Sequence, residues 1–410
     1  MKIVHLSASD KAGAFEATRR LHEAFRERGH ESVVIVREKR SLDKDVIQYK
    51  SFFLLQKIWD SFINTIVRAD PDYYFFNPQE SVSFSNAEGI LPFLPYTPDI
   101  IMIHWVSRFV NTKAIYEIQK RTHAKIFWLI LDMAPMTGGC HYAWECKGYQ
   151  KRCGNCPAIH SQSPRDISSM NLSIKQEYLR KIQPVIIAPS DELYNQCKKS
   201  TLFKKSIIHK ILLPLDLNKF YPGNKQKLRK RYDIPLGKKV ICLRSDNPNQ
   251  KRKGFDYIVL CLQHLYKINI RNVHVVIIGG ISESDRKKIV FPYTIFSSIK
   301  NNSELGDIYR LSDVFLCASI QDSGPMMINE SIACGLPVVS FPIGVIKDLI
   351  IDEKTGFIAR MKDSRDLAQK LQRVLSMNTH SYNEMAKFCR ELAIKKLGYY
   401  SVVKQYEQIF

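Results

Sequence analysis

Short apolar runs alternate with amphipathic stretches along the whole chain. Lys2–Leu6 is a short apolar run, bounded by Ser7, Ala8, Ser9, Asp10 and Gly13. A helical pattern follows, with Ala17, Leu21, Ala24 and Phe25 on one face and Arg19, Arg20, Glu23 and Arg26 elsewhere. Gly29 ends it, and Ser32–Val36 reads as a second strand. Strand, loop, helix, strand within about 36 residues is a βαβ unit. The pattern recurs with strands at Ile100–His104, Ile126–Leu131 and Val185–Ala188, and a helix at Thr112–Thr122.

A second series begins after residue 200. Its expected strands are Ile207–Leu213, Val240–Leu243, Val273–Ile278, Val314–Cys317, Pro337–Ser340 and Gly356–Ala359. Helical patterns lie between them, around Phe255–Tyr266, Asp307–Arg310, Met326–Cys334 and Arg365–Met377. Continuous apolar strands alternating with amphipathic helices imply parallel sheets covered on both faces. The expected class is α/β, with two Rossmann-like doubly wound domains. Residues 1–200 form the first and residues 201–385 the second. Residues 386–410 are expected as a C-terminal helix packing back on the first domain. Residues 137–175 read as irregular and contain a cysteine-rich insert at 137–160.

The chain has 410 residues, enough for two or three domains at roughly 150 residues each. With 45% hydrophobic and 25% charged residues it is neither disordered, collagen-like nor a small disulfide-stapled protein. Charge changes the picture more: 61 Lys+Arg against 40 Asp+Glu give a net +21. Residues 1–200 hold 27 basic and 21 acidic residues, and residues 201–410 hold 34 and 19. Such an excess suits an anionic partner, whether nucleic acid, a phosphate-bearing ligand or an acidic membrane. Two basic runs stand out, Lys225–Arg231 and Lys251–Lys253. No stretch reaches about 18 consecutive apolar residues, and the N-terminus lacks a signal-peptide core, so a cytoplasmic protein is expected. Six of the ten cysteines are scattered singly, as reduced core thiols would be.

The most informative stretch runs from Asp322 through Ser323, Gly324, Pro325, Met326 and Met327 to Glu330, and on to Cys334-Gly-Leu-Pro-Val-Val339. Two acids are separated by seven residues. A glycine loop opens into a helix, with Pro325 suited to the first helical position. A helix N-terminus after such a loop presents free N–H groups to a phosphate or diphosphate. Glu330 could accept hydrogen bonds from ribose hydroxyls. Spacing alone favours a capping acid and a surface glutamate. The whole string changes that weighting, because it closely resembles the E-x7-E segment of glycosyltransferase family 4, retaining enzymes of the GT-B fold, whose two Rossmann-like domains face each other across a cleft. The first acid here is Asp322, where most members have Glu. Lys253-Gly-Phe-Asp256 resembles the family's K-G-F-D, whose Lys neutralises the nucleotide diphosphate with a nearby Arg. The usual Gly-Arg pair upstream is missing, and both Arg244 and Arg252 are candidates. Pro214-Leu-Asp216 with Phe220 resembles the family's linker into the second domain.

In the first domain, Lys11-Ala-Gly13-Ala14 stands where the family carries a Gly-Gly loop, with one Gly replaced by Ala12. His104 ends a strand that corresponds in order to the family's catalytic-cleft His. Asp132 resembles the Asp of its His-Asp pair, with Leu131 in place of the His. The resemblance therefore implies a catalytic set of Asp322, Glu330, His104 and Lys253. It implies a donor site of Arg244, Arg252, Lys253, Ser323, Gly324, Pro325, Met326, Met327 and Glu330. The acceptor side would comprise Gly13, His104 and Asp132.

Thr137-Gly-Gly-Cys140-His141-Tyr142 is followed by Cys146, Cys153 and Cys156. Four cysteines within 17 residues suggest a tetrahedral structural zinc site, against disulfides or free thiols. The string resembles an insert in bacterial family 4 enzymes that build capsule, O-antigen or colanic-acid-like polysaccharides. His141 could be a ligand or point into the acceptor side. Two aromatic stretches, Phe52–Phe62 and Tyr73–Phe76, could serve a membrane interface or core packing.

The expected function is retaining transfer of a sugar from a UDP- or GDP-linked donor to a glycan or polyprenyl-diphosphate-linked acceptor, in bacterial surface polysaccharide synthesis. The resemblance implies no catalytic metal. It places the protein in the cytoplasm, peripheral at the inner face of the cell membrane, with an anionic membrane surface as a further partner and no nucleic acid. The alternatives are a nucleic-acid-binding protein using the basic surface and Cys cluster, or another GT-B enzyme such as a sugar-nucleotide epimerase.

Overall fold

A computed structural model describes residues 1–49, 58–59, 61–63, 65, 67–76, 80–82, 85–245 and 250–410. Two compact units make up the chain: Met1–Pro214 with Val403–Phe410, and Leu215–Val402.

The first unit is built on a parallel sheet of β1 (Lys2–Ser9), β2 (Glu31–Glu38), β3 (Val46–Gln48), β4 (Ile100–Ile103), β5 (Lys125–Leu129), β6 (Val185–Ala188) and β7 (Ile208–Lys210). Their spatial order is β3-β2-β1-β4-β5-β6-β7. The inner strands are buried on both faces, which is why they read as unbroken apolar runs. Helices cap themselves as the sequence directs. At Thr112–Thr122, Asn111 accepts from the Ala114 N–H at one end and His123 turns left-handed at the other.

The second unit holds a parallel sheet of β8 (Lys239–Ser245), β9 (Val273–Gly279), β10 (Tyr293–Phe296), β11 (Val314–Cys317), β12 (Val338–Ser340) and β13 (Gly356–Ile358), ordered β10-β9-β8-β11-β12-β13. Strand order reverses beside β1 and β4 in the first sheet and beside β8 and β11 in the second. Open α/β sheets bind ligands at the carboxyl ends of strands flanking such points.

Several expectations change. The strand near Ile207–Leu213 belongs to the first sheet, because Ile186, Ile187 and Ala188 of β6 pair with Ile208, His209 and Lys210. The division between units therefore falls at Pro214, not at residue 200. Residues 137–175 are only partly irregular, since a helix spans Ile167–Ile182 with Asp166 as its cap. The helix at Thr379–Leu397 lies wholly in the second unit. Only Val403–Phe410 belongs to the first, where Tyr406 and Phe410 pack their rings on Phe25. The basic run Lys225–Arg231 is a helix whose Lys225 and Arg229 both bind Asp313, so part of that charge is spent inside the unit. Among the described residues no helix is long and apolar enough to cross a membrane. Of the aromatic stretch 52–62, residues 52–57 and 60 lie outside those described. In Tyr73–Phe76, the carbonyls of Tyr73 and Tyr74 hold the His141 N–H, and Phe75 bridges to Cys140, so this stretch packs the cysteine-rich segment.

Candidate functional site

In the second unit the acids and cations singled out in the sequence converge around two loops. Lys251–Lys253 forms one short turn, and Gly254, at φ 66°, starts the helix Phe255–Lys267. A Cβ at residue 254 would lie 1.9 Å from the Ala318 carbonyl oxygen, so glycine is what lets this segment lie against the end of β11. The Arg252 carbonyl accepts from the N–H groups of Ile320 and Gln321 at 2.8 and 3.2 Å, stitching the two loops together.

Asp322 then meets both cations. Lys253 Nζ donates to its Oδ2 at 2.6 Å and Arg252 Nη1 at 3.2 Å, while the Gly324 N–H reaches Oδ1 at 3.2 Å. Asp322 is 8% exposed. Burial alone raises its pKa; the charges of Lys253 and Arg252 and these hydrogen bonds outweigh burial and hold it below the ordinary value. Gly344 closes the far side: at φ 55°, a Cβ there would sit 2.9 Å from the Gly324 nitrogen.

Glu330 lies within the helix Met326–Ala333 and is 2% exposed. Tyr309 Oη donates to its Oε2 at 2.7 Å, and Arg244 Nη1 stands 4.0 Å from the same oxygen. Burial, followed by the charge of Glu330, pushes the Tyr309 pKa well above its usual value, so the phenol stays a donor. The two candidate arginines thus divide, Arg252 to Asp322 and Arg244 to Glu330. Pro325 caps the helix instead of occupying its first turn, which begins at Met326 with Met327 buried. Ser323 stands between Asp322 and Gly324 in the same loop. Tyr309 was not foreseen; its hydroxyl lies on a buried helical face that reads in sequence as plain core.

In the first unit, His104, Trp105, Ser107 and Asp132 line a cavity of about 30 Å³, with Glu80 and Lys175. His141 reaches this group from the cysteine-rich segment. Its Nδ1 lies 2.7 Å from Asp132 Oδ2 and its Nε2 lies 3.0 Å from Ser107 Oγ. The Trp105 indole N–H also faces Nδ1, at 3.2 Å, and only one of the two contacts can be bonded through that nitrogen at a time. The imidazole missing from the sequence beside Asp132, where Leu131 stands, is therefore supplied in space by His141. Gly13 is not among the residues lining this cavity; it lies in the first turn of the helix Ala12–Glu27.

Cys140, Cys146, Cys153 and Cys156 are free thiols lining one cavity of about 20 Å³. Four soft donors suit zinc chemically. Their placement does not make a ready cage, since among the described residues no three His, Cys, Asp or Glu side chains stand where one ion could be held. Burial raises the thiol pKa of Cys140 and Cys156 and pushes that of Cys153 to about 12, so a metal bound here would have to displace those protons.

Residues 224–394 match the family model for glycosyl transferases group 1. An uncharacterized 41.2 kDa protein in the cps region of Klebsiella pneumoniae is 27% identical over 161 residues, 39% of this chain and 43% of that one. A GDP-mannose-dependent alpha-mannosyltransferase of Mycobacterium tuberculosis is 23% identical over 155 residues, 37% of this chain and 38% of that one. The chain thus spans about two fifths of the length of these curated relatives. Among solved structures, Anabaena HepE in complex with UDP and glucose superposes with a TM-score of 0.66 at 13% identity, covering 100% of this chain and 99% of that one. Two parallel-sheet Rossmann-like units and this whole-chain likeness show the GT-B fold.

Proposed function

We propose that the protein is a retaining glycosyltransferase of the family 4 kind, moving a sugar from a UDP- or GDP-linked donor to a glycan or lipid-linked glycan in bacterial surface polysaccharide synthesis. The observation that carries this reading is the convergence of Lys253 and Arg252 on Asp322, beside Gly324, within the stretch that matches group 1 glycosyl transferases. The names of the relatives support it: one uses GDP-mannose, HepE holds UDP and glucose, and one lies in a cps region.

In this reading Lys253 and Arg252 exchange Asp322 for the donor diphosphate, whose charge grows as it departs. Asp322, so released, faces the donor sugar. The first N–H groups of the helix Met326–Ala333 add their partial charge at a phosphate. Glu330, fixed by Tyr309, accepts from the ribose, and Arg244 supports it. His104 and Asp132 belong to the acceptor side. Attachment to an anionic membrane surface is part of the same proposal and is supported by the net charge of +21.

Titration calorimetry with UDP- and GDP-sugars tests the donor site. Lys253→Ala and Glu330→Ala should each weaken binding at least about tenfold, the scale of one lost charge-assisted contact. No binding of any nucleotide-sugar, or unchanged transfer by both variants, would overturn it. We also carry a structural zinc ion on the four cysteines as a proposal, supported by their shared cavity and donor chemistry. Metal analysis of the purified chain should find one equivalent, lost in Cys153→Ser; none found would leave them as core thiols.

A further inference from the structure

His104 is 2% exposed, and its Nδ1 has no hydrogen-bond partner among the described residues although the side chain lines the small cavity. Its other nitrogen is fully engaged. His104 Nε2 lies 2.7 Å from His5 Nδ1, His5 Nε2 lies 3.1 Å from Ser32 Oγ, and Ser32 Oγ lies 2.8 Å from His22 Nδ1. All four side chains are buried. We propose that His5, Ser32 and His22 are positioning residues that hold His104 in the tautomer whose Nδ1 is a bare hydrogen-bond acceptor, set to receive the hydroxyl of a ligand in the cavity.

With the Ser32 hydrogen inside the relay, valence arithmetic leaves two states for neutral rings. Each gap in the relay takes one hydrogen, and Ser32 has one to give. If Ser32 donates to His22, then His5 Nε2 carries a hydrogen toward Ser32. His5 Nδ1 is then bare, His104 donates from Nε2, and His104 Nδ1 is bare. If Ser32 donates to His5 instead, every hydrogen reverses and Nδ1 of His104 carries an N–H.

One observation selects the first state. The second would bury an N–H at Nδ1 with no partner, and orphaned donors are rarer than under-used acceptors. Asp132 lines the same cavity but is already bonded by His141 and by the Ala134 N–H at 2.8 Å. Neutrality is secured by burial, with neighbouring imidazoles adding to it, since the pKa of His104 falls to about 3 and that of His5 falls well below its usual value.

Nitrogen-15 NMR of the full chain labelled at histidine tests this without any ligand, so its outcome is separate from that of the proposed glycosyl transfer. In the wild type, His104 Nδ1 should resonate as an unprotonated imidazole nitrogen and Nε2 as a protonated one. Ser32→Ala should shift His104 toward a mixture of tautomers, and Ser32→Thr should restore the wild-type spectrum. The opposite tautomer in the wild type, or a His104 spectrum indifferent to Ser32→Ala in a folded chain, would overturn the proposal. The ligand's identity alone rests on the acceptor-side reading. With a working acceptor, Ser32→Ala should raise its KM about tenfold, the scale of one positioned neutral hydrogen bond, and leave the donor KM unchanged.

Discussion

At the carboxyl end of β4 in the first unit, His104 is buried and neutral, its pKa pushed to about 3 by burial and by His22. Beyond the carboxyl end of β11 in the second, Asp322 is also buried and stays charged, because Lys253 and Arg252 offset the burial. Parallel sheets of one kind thus carry two different solutions to a buried polar group. An imidazole can shed its charge and satisfy itself with other neutral rings. A carboxylate at neutral pH is stabilised only by bringing cations along. The second solution leaves a site already equipped for an anion, and the first leaves one suited to hydroxyls.

Acid should separate the two most strongly. Buried His5, His22 and His104 have folded pKa values below the unfolded 6.5, so the unfolded chain takes up protons first as pH drops. Stability is therefore full above about pH 6.5 and falls by about 1.4 kcal/mol per pH unit for each histidine that stays neutral. Asp322, with its pKa below 3.8, contributes stability that is lost only as pH falls through and below that value. All four tryptophans (Trp59, Trp105, Trp128 and Trp144) lie in the first unit, so their fluorescence reports it alone. Denaturant midpoints followed by fluorescence should fall more between pH 7 and pH 5 than those of a circular dichroism transition from the second unit. Equal losses would break the comparison.

Gly254→Ala should come next. It sets a Cβ against the Ala318 carbonyl at positive φ, and should cost about 2–5 kcal/mol in the second unit by urea denaturation, with tryptophan fluorescence unmoved. Lys253→Ala leaves Asp322 with Arg252 and the Gly324 N–H and should cost about 1–3 kcal/mol near pH 7. That loss should shrink below pH 4 as the carboxylate is protonated; a pH-independent loss would mean that Lys253 acts by packing. The smallest effect is expected from His141→Phe, about 1–2 kcal/mol from the lost bond to Asp132, read in the fluorescence transition.

Local signals carried much of this molecule. The helix Thr112–Thr122 and the strands Val185–Ala188 and Val314–Cys317 are observed with the bounds that periodicity predicts. The edge strands Val46–Gln48 and Tyr293–Phe296 were not foreseen, because three or four half-exposed residues make no run. The strand at Ile208–Lys210 was legible as a strand but not as a member of the first sheet, since apolar character does not say which neighbour completes a ladder. At the site, Lys253, Asp322, Gly324 and Glu330 were legible because a glycine turn and a helix start write themselves into contiguous residues. Tyr309 on Glu330, and His5 on His104 across 99 positions, left no trace in spacing.

Two α/β series, a basic turn ending in glycine and two acids with seven residues between them follow from the order of residues, because backbone preference and burial pattern act over a few positions. Folding decided which cation each acid receives, that His141 stands beside Asp132 where Leu131 does not, and that three histidines and a serine form one chain. Those outcomes depend on hydrogen bonds and charge pairs that act over about 3 Å, and only closure of the chain brings such distant residues that near.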